Sequence, residues 1–296
     1  MSGEDGHMKD LLAKAETLTE ALPYIKRTWG RKVVIKYGGA AMTDPALREQ
    51  VASDIVLMKL VGINPVIVHG GGPDITSYME RLGLKVEFFN GLRVTTDEAM
   101  EIVRMVLVGK VNPELVSAIN HHGRLAVGVS GDDGNLVTAK QRDVRMGRVG
   151  DVTAIDTTII DNLIEDGFVP VVATVAAGED GGSFNVNADS VASELAVALE
   201  ADKIIFLTDV DGLYADVADP SSLISALTPT EAETMIVEDR LGGGMVPKVA
   251  ACVSALRGGV GRAHILNGTV PHALLLEVYT DEGVGTMIAD AVTGEA

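Results

Sequence analysis

Val33-Val-Ile-Lys-Tyr-Gly-Gly-Ala40 is the stretch on which the reading of this chain turns. Three β-branched apolar residues in a row make a short buried strand. Lys36 stands at its end, and Gly38 and Gly39 follow. Two glycines after a strand let backbone N–H groups turn toward a ligand with no Cβ in the way. Strand, lysine and diglycine together describe an anion site, most naturally one for phosphate. The plainer alternative is an ordinary Gly-Gly turn beside a solvated lysine.

Outward from this stretch the pattern repeats. Pro45–Val61 reads as a helix, with Asp44 as its cap, Pro45 in its first turn and Leu47, Val51, Ile55 and Met58 on one face. Pro65-Val-Ile-Val-His69 is a second buried strand, and it runs into Gly70-Gly-Gly-Pro-Asp74 and a helix through Arg81. A strand, a glycine loop and a helix N-terminus bind anions. It is not the dinucleotide fingerprint, because Ile75 stands where the third glycine belongs, and Gly109-Lys110-Val111 is not a Walker A sequence. His69 is open to two readings, a general base or a structural strand-end histidine. Asn90-Gly91 signals a turn before the short strand Leu92–Val94. Arg93 there could hold a carboxylate with two parallel bonds or lie on the surface.

Thr96–Val108 and Pro113–His121 are expected to be helices joined at Asn112-Pro113. Leu125–Val129 is a strand ending in the acidic loop Ser130–Gly134, and Leu136–Ile155 reads as a β-hairpin excursion. Asp156–Asp166 is helical and Phe168–Val172 a buried strand. Asn185-Val-Asn-Ala-Asp189 then leads into the helix Ser190–Leu199. A capping role explains one of its three polar residues, not all three. Lys203–Thr208 is a strand, and Asp209–Tyr214 a turn at its carboxyl end, where open α/β sheets bind ligands. Gly242–Lys248 opens the helix Val249–Leu256 and sets a second lysine beside a glycine run. Gly261–Leu266, Leu274–Glu277 and Thr286–Ala289 are expected to be the last strands, with a glycine loop at Asp281–Thr286.

Composition narrows the function classes. Of 296 residues 47% are hydrophobic and only 4% aromatic, a core of Val, Ile, Leu and Ala that suits helices on a mostly parallel sheet. The net charge of −18 argues against nucleic-acid binding, which needs a basic face. The single cysteine, Cys252, excludes an internal disulfide and a Cys-rich zinc site. The N-terminus is polar and acidic, unlike a secretory signal, and no apolar run approaches a membrane span, so a cytoplasmic protein is expected. Met8–Thr28 reads as an amphipathic helix with a kink at Pro23. It either packs on its own subunit or reaches a neighbour.

Six motifs occur in order: Lys36-Tyr-Gly-Gly39, His69-Gly-Gly-Gly-Pro73, Gly91-Leu-Arg-Val-Thr95, Asn185-Val-Asn-Ala-Asp189, Thr208-Asp-Val-Asp-Gly-Leu213 and Gly244-Met-Val-Pro-Lys248. From about Lys32 onward the chain resembles the amino acid kinase family, and within it the arginine-sensitive branch that phosphorylates N-acetyl-L-glutamate. The resemblance implies an α/β fold, a three-layer αβα sandwich around a mainly parallel eight-stranded sheet, with an extra N-terminal helix. Residues 1–30 would form that helix and 31–296 the kinase domain, about 31–200 binding the acceptor and about 201–296 binding ATP.

The implied reaction moves the γ-phosphoryl of ATP to the side-chain carboxylate of N-acetyl-L-glutamate, a step of arginine biosynthesis. A carboxylate is already a nucleophile at neutral pH and needs no general base, which leaves His69 without that task. By the same resemblance Lys36 and Lys248 neutralise charge on the transferring group, and Asp189 holds the two lysines. Gly71, Gly72, Arg93 and Asn185 would bind the acceptor. Gly38, Gly39, Asp209, Val210, Asp211, Gly212, Leu213 and Tyr214 would line the nucleotide site. Mg²⁺ would accompany ATP on phosphate oxygens and water, with no metal site of protein ligands. Tyr24, His272, Glu277, Gly283 and Gly285 would receive arginine as a feedback inhibitor, and the N-terminal helices would interlace dimers into a hexamer. Ala40 departs from family members that carry Asn there. The rivals are a family member acting on another carboxylate or a carbamate, and a nucleotide-binding regulatory module without turnover. The intact Lys36, Asp189 and Lys248 argue against the second.

Overall fold

The computed structural model describes residues 2–290 except 40, 41, 43, 90, 243, 281 and 282, with side chains from Met8 on apart from those of 10 and 13. Met1, Ala40, Asn90, Gly243, Asp281 and Glu282, each part of the reading above, lie outside the described residues.

Helices α1 (Ser2–Glu20) and α2 (Leu22–Thr28) precede β1 (Lys32–Tyr37). They part at Ala21, and Pro23 falls in the first turn of α2, where a missing N–H costs nothing. Met8, Leu11, Leu12, Leu18 and Leu22 are all exposed, so this apolar stripe is not packed on its own chain. Helix α3 (Pro45–Leu60) is capped by Asp44, which accepts from the N–H groups of Ala46 and Leu47. Then come β2 (Asn64–His69), α4 (Gly72–Arg81) and a two-stranded hairpin of β3 (Phe88–Phe89) and β4 (Leu92–Arg93).

Helix α5 (Asp97–Val106) continues through a π turn (Leu107–Val111) into α6 (Asn112–Asn120). The expected join at Asn112-Pro113 is not there. The backbone stays helical, and the Asn112 N–H reaches back to the carbonyl of Leu107. The wider turn accommodates Pro113, which has no N–H to place.

The chain goes on through β5 (Ala126–Ser130), β6 (Val137–Gln141), β7 (Val149–Ile155), α7 (Thr158–Glu165), β8 (Val169–Ala173), β9 (Val175–Gly178), β10 (Ser183–Val186) and α8 (Ala188–Ala198). It ends with β11 (Lys203–Thr208), β12 (Leu213–Tyr214), β13 (Leu223–Ile224), β14 (Ala226–Leu227), α9 (Pro229–Val237), α10 (Val246–Arg257), β15 (Arg262–Asn267), α11 (Ala273–Tyr279) and β16 (Thr286–Ile288). Leu274–Glu277 is thus a helix, not a closing strand. A run of four apolar residues cannot be told from a buried helix segment by periodicity, and Ala, Leu and Glu are strong helix formers.

The main sheet has eight strands in the order β14-β16-β15-β11-β1-β2-β8-β5, and only the β15–β16 pair is antiparallel. Alternation along β1 sends Val33 and Ile35 to one face and Val34 to the other. The first face packs α3, α5 and α6, and the second packs α8 and α10. The result is the expected three-layer αβα sandwich. The hairpin of β6 and β7 is also as expected, but β9 and β10 close it into a small barrel. Among the described residues no helix is long and apolar enough to cross a membrane.

Candidate active site

The main sheet reverses its order at β1, which has β2 on one side and β11 on the other. Ligands of open α/β sheets bind outside the carboxyl ends of strands at such a point. A cleft of about 320 Å³ lies there. Lys36, Gly38, Gly39, Gly71, Gly72, Arg93, Asn185, Asp189 and Lys248 all line it. Every residue expected to act in catalysis or to bind the acceptor is therefore brought to one place from five separate segments.

Each segment has a local reason for its geometry. Lys36 is the penultimate residue of β1 and curls back over Gly38, where an added Cβ would stand 2.6 Å from its Nζ. Gly39 has φ +71°, and a Cβ there would press on the β11 backbone at Thr208 and Asp209. Gly71 is closed in by the π turn, since a Cβ would lie 2.7 Å from Leu107 Cδ2. Asn187 caps α8 by accepting from the N–H groups of Asp189 and Ser190. That leaves the Asp189 carboxylate free for other partners in the first turn of α8.

Those partners are the two lysines. Lys36 Nζ lies 3.0 Å from Asp189 Oδ1, and Lys248 Nζ lies 3.0 Å from Asp189 Oδ2. Burial acts to raise the Asp189 carboxyl, but the two ammonium groups outweigh it and hold the group below the usual carboxylate range. Burial pulls the Lys36 ammonium below its ordinary value, and Asp189 opposes that pull. One carboxylate between two cations leaves a net positive charge in a partly dry cleft, which suits a polyanion.

Arg93 is buried, and its Nη2 donates to Gly72 O at 3.0 Å and to Thr76 Oγ1 at 2.6 Å. Its guanidinium also stacks over the Phe88 ring, 4.9 Å from the centroid. Asn185 Nδ2 donates to Thr95 Oγ1 at 3.0 Å. Neither Thr76 nor Thr95 had been given a part. Thr76 carries no signal in the sequence, because its partner is long-range. Thr95 stood inside a motif with no chemistry attached.

His69 is fully buried and does not line the cleft. Burial pushes its pKa down to about 4, so it is neutral. Its Nδ1–H donates to Gly70 O at 2.9 Å, and its Nε2 accepts from Asn112 Nδ2 at 3.0 Å. It braces the glycine loop and is no general base. Asn112, read as a helix join, is its partner, placed there by the π turn.

The turn Asp209–Tyr214 lies at the carboxyl end of β11, outside the cleft lining. Asp209 and Val210 are exposed. Asp211 accepts from Tyr214 Oη and Asn267 Nδ2, and Leu213 N donates to Thr286 Oγ1. Gly212 packs so closely that a Cβ would meet Thr286 Oγ1 at 2.4 Å. Among the described residues no three His, Cys, Asp or Glu side chains converge as a metal site. A larger cavity of about 560 Å³ opens beside the small barrel. It has neither lysine, and its Arg148 is already paired with Asp97 and Asp180.

The tail residues are only partly assembled. Glu277 accepts from His264 Nδ1 at 2.6 Å and from Val284 N at 3.0 Å, and Gly283, at φ +62°, sits directly over it. A Cβ on Gly285 would collide with Ile265 O. His272 turns away to Asp54, with Nδ1 2.6 Å from Oδ1. Tyr24 lies half-buried on α2, which packs against α11.

The comparisons with known proteins agree with this geometry. The sequence profile described as the amino acid kinase family matches residues 31–267. An acetylglutamate kinase of Syntrophomonas wolfei subsp. wolfei is 54% identical over 281 residues, 94% of this chain and 98% of that one. An N-acetylglutamate synthase from Neisseria gonorrhoeae, complexed with coenzyme A and N-acetyl-glutamate, has a TM-score of 0.82 at 26% identity. The match covers 94% of this chain and 64% of that one. The same synthase complexed with coenzyme A and L-arginine gives 0.81 at 26% identity, over 94% and 65%. This chain therefore spans just under two thirds of the synthase chain. With the lysine pair, its bridging carboxylate and the glycine loops in one cleft, the chain belongs to the amino acid kinase family and is a kinase.

Proposed function

We propose that this kinase transfers the γ-phosphoryl group of ATP to the side-chain carboxylate of N-acetyl-L-glutamate. The observation that carries the reading is the Lys36–Asp189–Lys248 network in the same cleft as Arg93 and Asn185. The acceptor is its own nucleophile, so the chain has to align two anions and neutralise the charge that spreads over the transferring group. Lys36 and Lys248 supply that neutralisation from either side of Asp189. The backbone N–H groups around Gly38, Gly39, Gly71 and Gly72 add donors fixed before the reaction begins. Arg93 and Asn185 take the polar end of the acceptor.

The nucleotide lies toward Asp209–Tyr214, at the carboxyl end of β11, and Asp209 is close enough to act on the charge of Lys36. Mg²⁺ bound with ATP would supply neutralisation of phosphate charge, on phosphate oxygens and water. Among the described residues lining the cleft, the carboxylate is Asp189, which both lysines already engage.

Feedback by arginine belongs to the same proposal. An N-acetylglutamate synthase of this fold has been solved with L-arginine, and among the described residues the buried Glu277 here accepts hydrogen bonds from a neutral imidazole and one backbone N–H. A cationic ligand has a carboxylate to pair with, close to Gly283 and to α2. The exposed apolar stripe of α1 fits an arm that joins copies of the chain into a hexamer.

An ADP-release assay over free and N-acetylated amino acids tests the reaction, with the product trapped as its hydroxamate. N-acetyl-L-glutamate is expected to be phosphorylated well, and glutamate and aspartate poorly, because a buried polar site rejects ligands that leave its groups unpaired. Equal rates with free glutamate overturn the reading. Removing residues 1–28 is expected to give a smaller oligomer by light scattering, still active but with weaker arginine inhibition. A full-length enzyme indifferent to millimolar arginine leaves α1 and α2 with an assembly role alone.

A further inference from the structure

We propose that Thr95 is a positioning residue for the acceptor, joining the main chain of Arg93 to the side chain of Asn185 through its hydroxyl. The inference rests on the reading of Arg93 and Asn185 as acceptor-binding residues. Thr95 is fully buried. Its Oγ1 lies 2.9 Å from the carbonyl of Arg93 and 3.0 Å from Asn185 Nδ2. A carbonyl can only accept, so the single hydroxyl proton goes to Arg93. The hydroxyl can then only accept from Asn185, which sets the amide with Nδ2 toward Thr95 and Oδ1 away from it.

The backbone closes this arrangement into a ring. Thr95 O accepts from Arg148 N at 2.6 Å, and Arg148 O accepts from Asn185 N at 2.8 Å. The side-chain bond from Asn185 to Thr95 completes the circuit. Thr95 N donates to Met146 O, and Gly147 has φ +65°, where a Cβ would stand 2.3 Å from Thr95 O. The connection between β6 and β7 is therefore built to press on this one residue.

The need for such an anchor lies in the hairpin that carries Arg93. Its strands are two residues each, and Phe88 and Phe89 are exposed. A two-stranded ribbon of that size does not hold its shape alone in water. Thr76 and Gly72 orient the far end of the guanidinium. Thr95 fixes the near end, the main chain from which it starts, and ties it to the second acceptor residue on β10.

Steady-state kinetics on the full-length enzyme test the proposal, with N-acetyl-L-glutamate and ATP varied separately. Thr95→Val removes both hydroxyl bonds at nearly constant volume. It is expected to raise KM for N-acetyl-L-glutamate by about tenfold or more and to leave KM for ATP little changed. Thr95→Ser keeps the hydroxyl and is expected to restore most of the loss. Combined with Asn185→Ala, Thr95→Val is expected to add less than it costs alone, because the bond between Thr95 and Asn185 is already gone and only the one to Arg93 is left to lose. Thr95→Cys keeps the volume and only a weak donor, so the same pattern can be read from it where Thr95→Val does not fold. An unchanged acceptor KM in Thr95→Val or Thr95→Cys, with only a lower Tm, overturns the role of Thr95 alone, provided Arg93→Ala and Asn185→Ala raise that KM. If those two variants also leave it unchanged, the acceptor-site reading falls and the role of Thr95 with it.

Discussion

Asp189 and Glu277 are both buried carboxylates, with side chains only 7% and 8% exposed, and they are held in opposite ways. Asp189 lies between two ammonium groups, each 3.0 Å away. For Glu277, burial acts to raise the carboxyl, and the His264 ring, the Val284 N–H and the charge of Lys203 together outweigh it to hold the group below its ordinary range. Burial lowers His264 despite its carboxylate partner, so the imidazole is neutral and donates through Nδ1–H. The first site is left with excess positive charge at short range; at the second, Glu277 accepts from a neutral ring and a backbone N–H, while Lys203 acts on it from beyond ion-pair distance. Removing one partner from a buried charge is costly, whereas a ligand that completes the set is favoured. On the proposed function, the same device, a carboxylate fixed in a dry pocket, would serve anion transfer in one region and a cationic effector in the other.

The largest test of this contrast is to break the positive side. Lys36→Ala and Lys248→Ala are each expected to lower kcat by about 10²–10³-fold, the cost of removing a preorganised charge donor. Wild-type turnover in Lys248→Ala means that the cation is not used in the transition state.

The second test uses acid. His69 under the glycine loop has its pKa lowered from 6.5 to about 4, so the unfolded chain binds a proton that the folded one refuses. Stability should therefore fall as pH drops through the window from about 6.5 to about 4, by as much as about 3 kcal/mol at 1.36 kcal/mol for each tenfold. Urea midpoints at pH 7 and pH 4.5 check this. His69→Asn, which does not titrate, is expected to lack that part of the loss. Parallel shifts in the two proteins mean that His69 is already charged in the native state.

Gly38→Ala comes third. The added Cβ competes with the Lys36 ammonium for space, and a displaced charge is expected to cost about tenfold in kcat while unfolding midpoints stay close to wild type. A stability loss with normal kcat shows instead that the backbone, not the lysine, gave way. The smallest effect is on the negative side. Glu277→Gln keeps the bonds from His264 and Val284 within reach of a neutral acceptor, so turnover without arginine should change little while arginine inhibition weakens severalfold, roughly the value of one charge-assisted bond. Undiminished inhibition in Glu277→Gln removes that carboxylate from the effector site and with it the contrast.

Most of the site could be read from the chain because its parts are local. Val33–Gly39 and Pro65–Gly72 each carry strand and glycine loop within a few residues, and buried parallel strands announce themselves as unbroken apolar runs. The same economy revealed Asp44 as a cap. Short apolar segments were the weak point: Leu274–Glu277 reads equally as strand or helix, and it lies within the helix Ala273–Tyr279 while Thr286–Ile288 joins the sheet.

What depended on tertiary structure was every partnership across the chain. That Asp189 faces two lysines, that His69 braces Gly70 and is held by Asn112, and that Thr95 links Arg93 to Asn185 are contacts between segments up to 153 residues apart, as from Lys36 to Asp189. Residue type and spacing determined which elements form and which chemistry they carry, because propensity, turns and periodicity act over a few residues. Which polar groups meet, and so which charges are neutralised and which stay available to a ligand, was decided only by packing, because a buried donor or acceptor takes its partner from whatever the fold brings within about 3 Å.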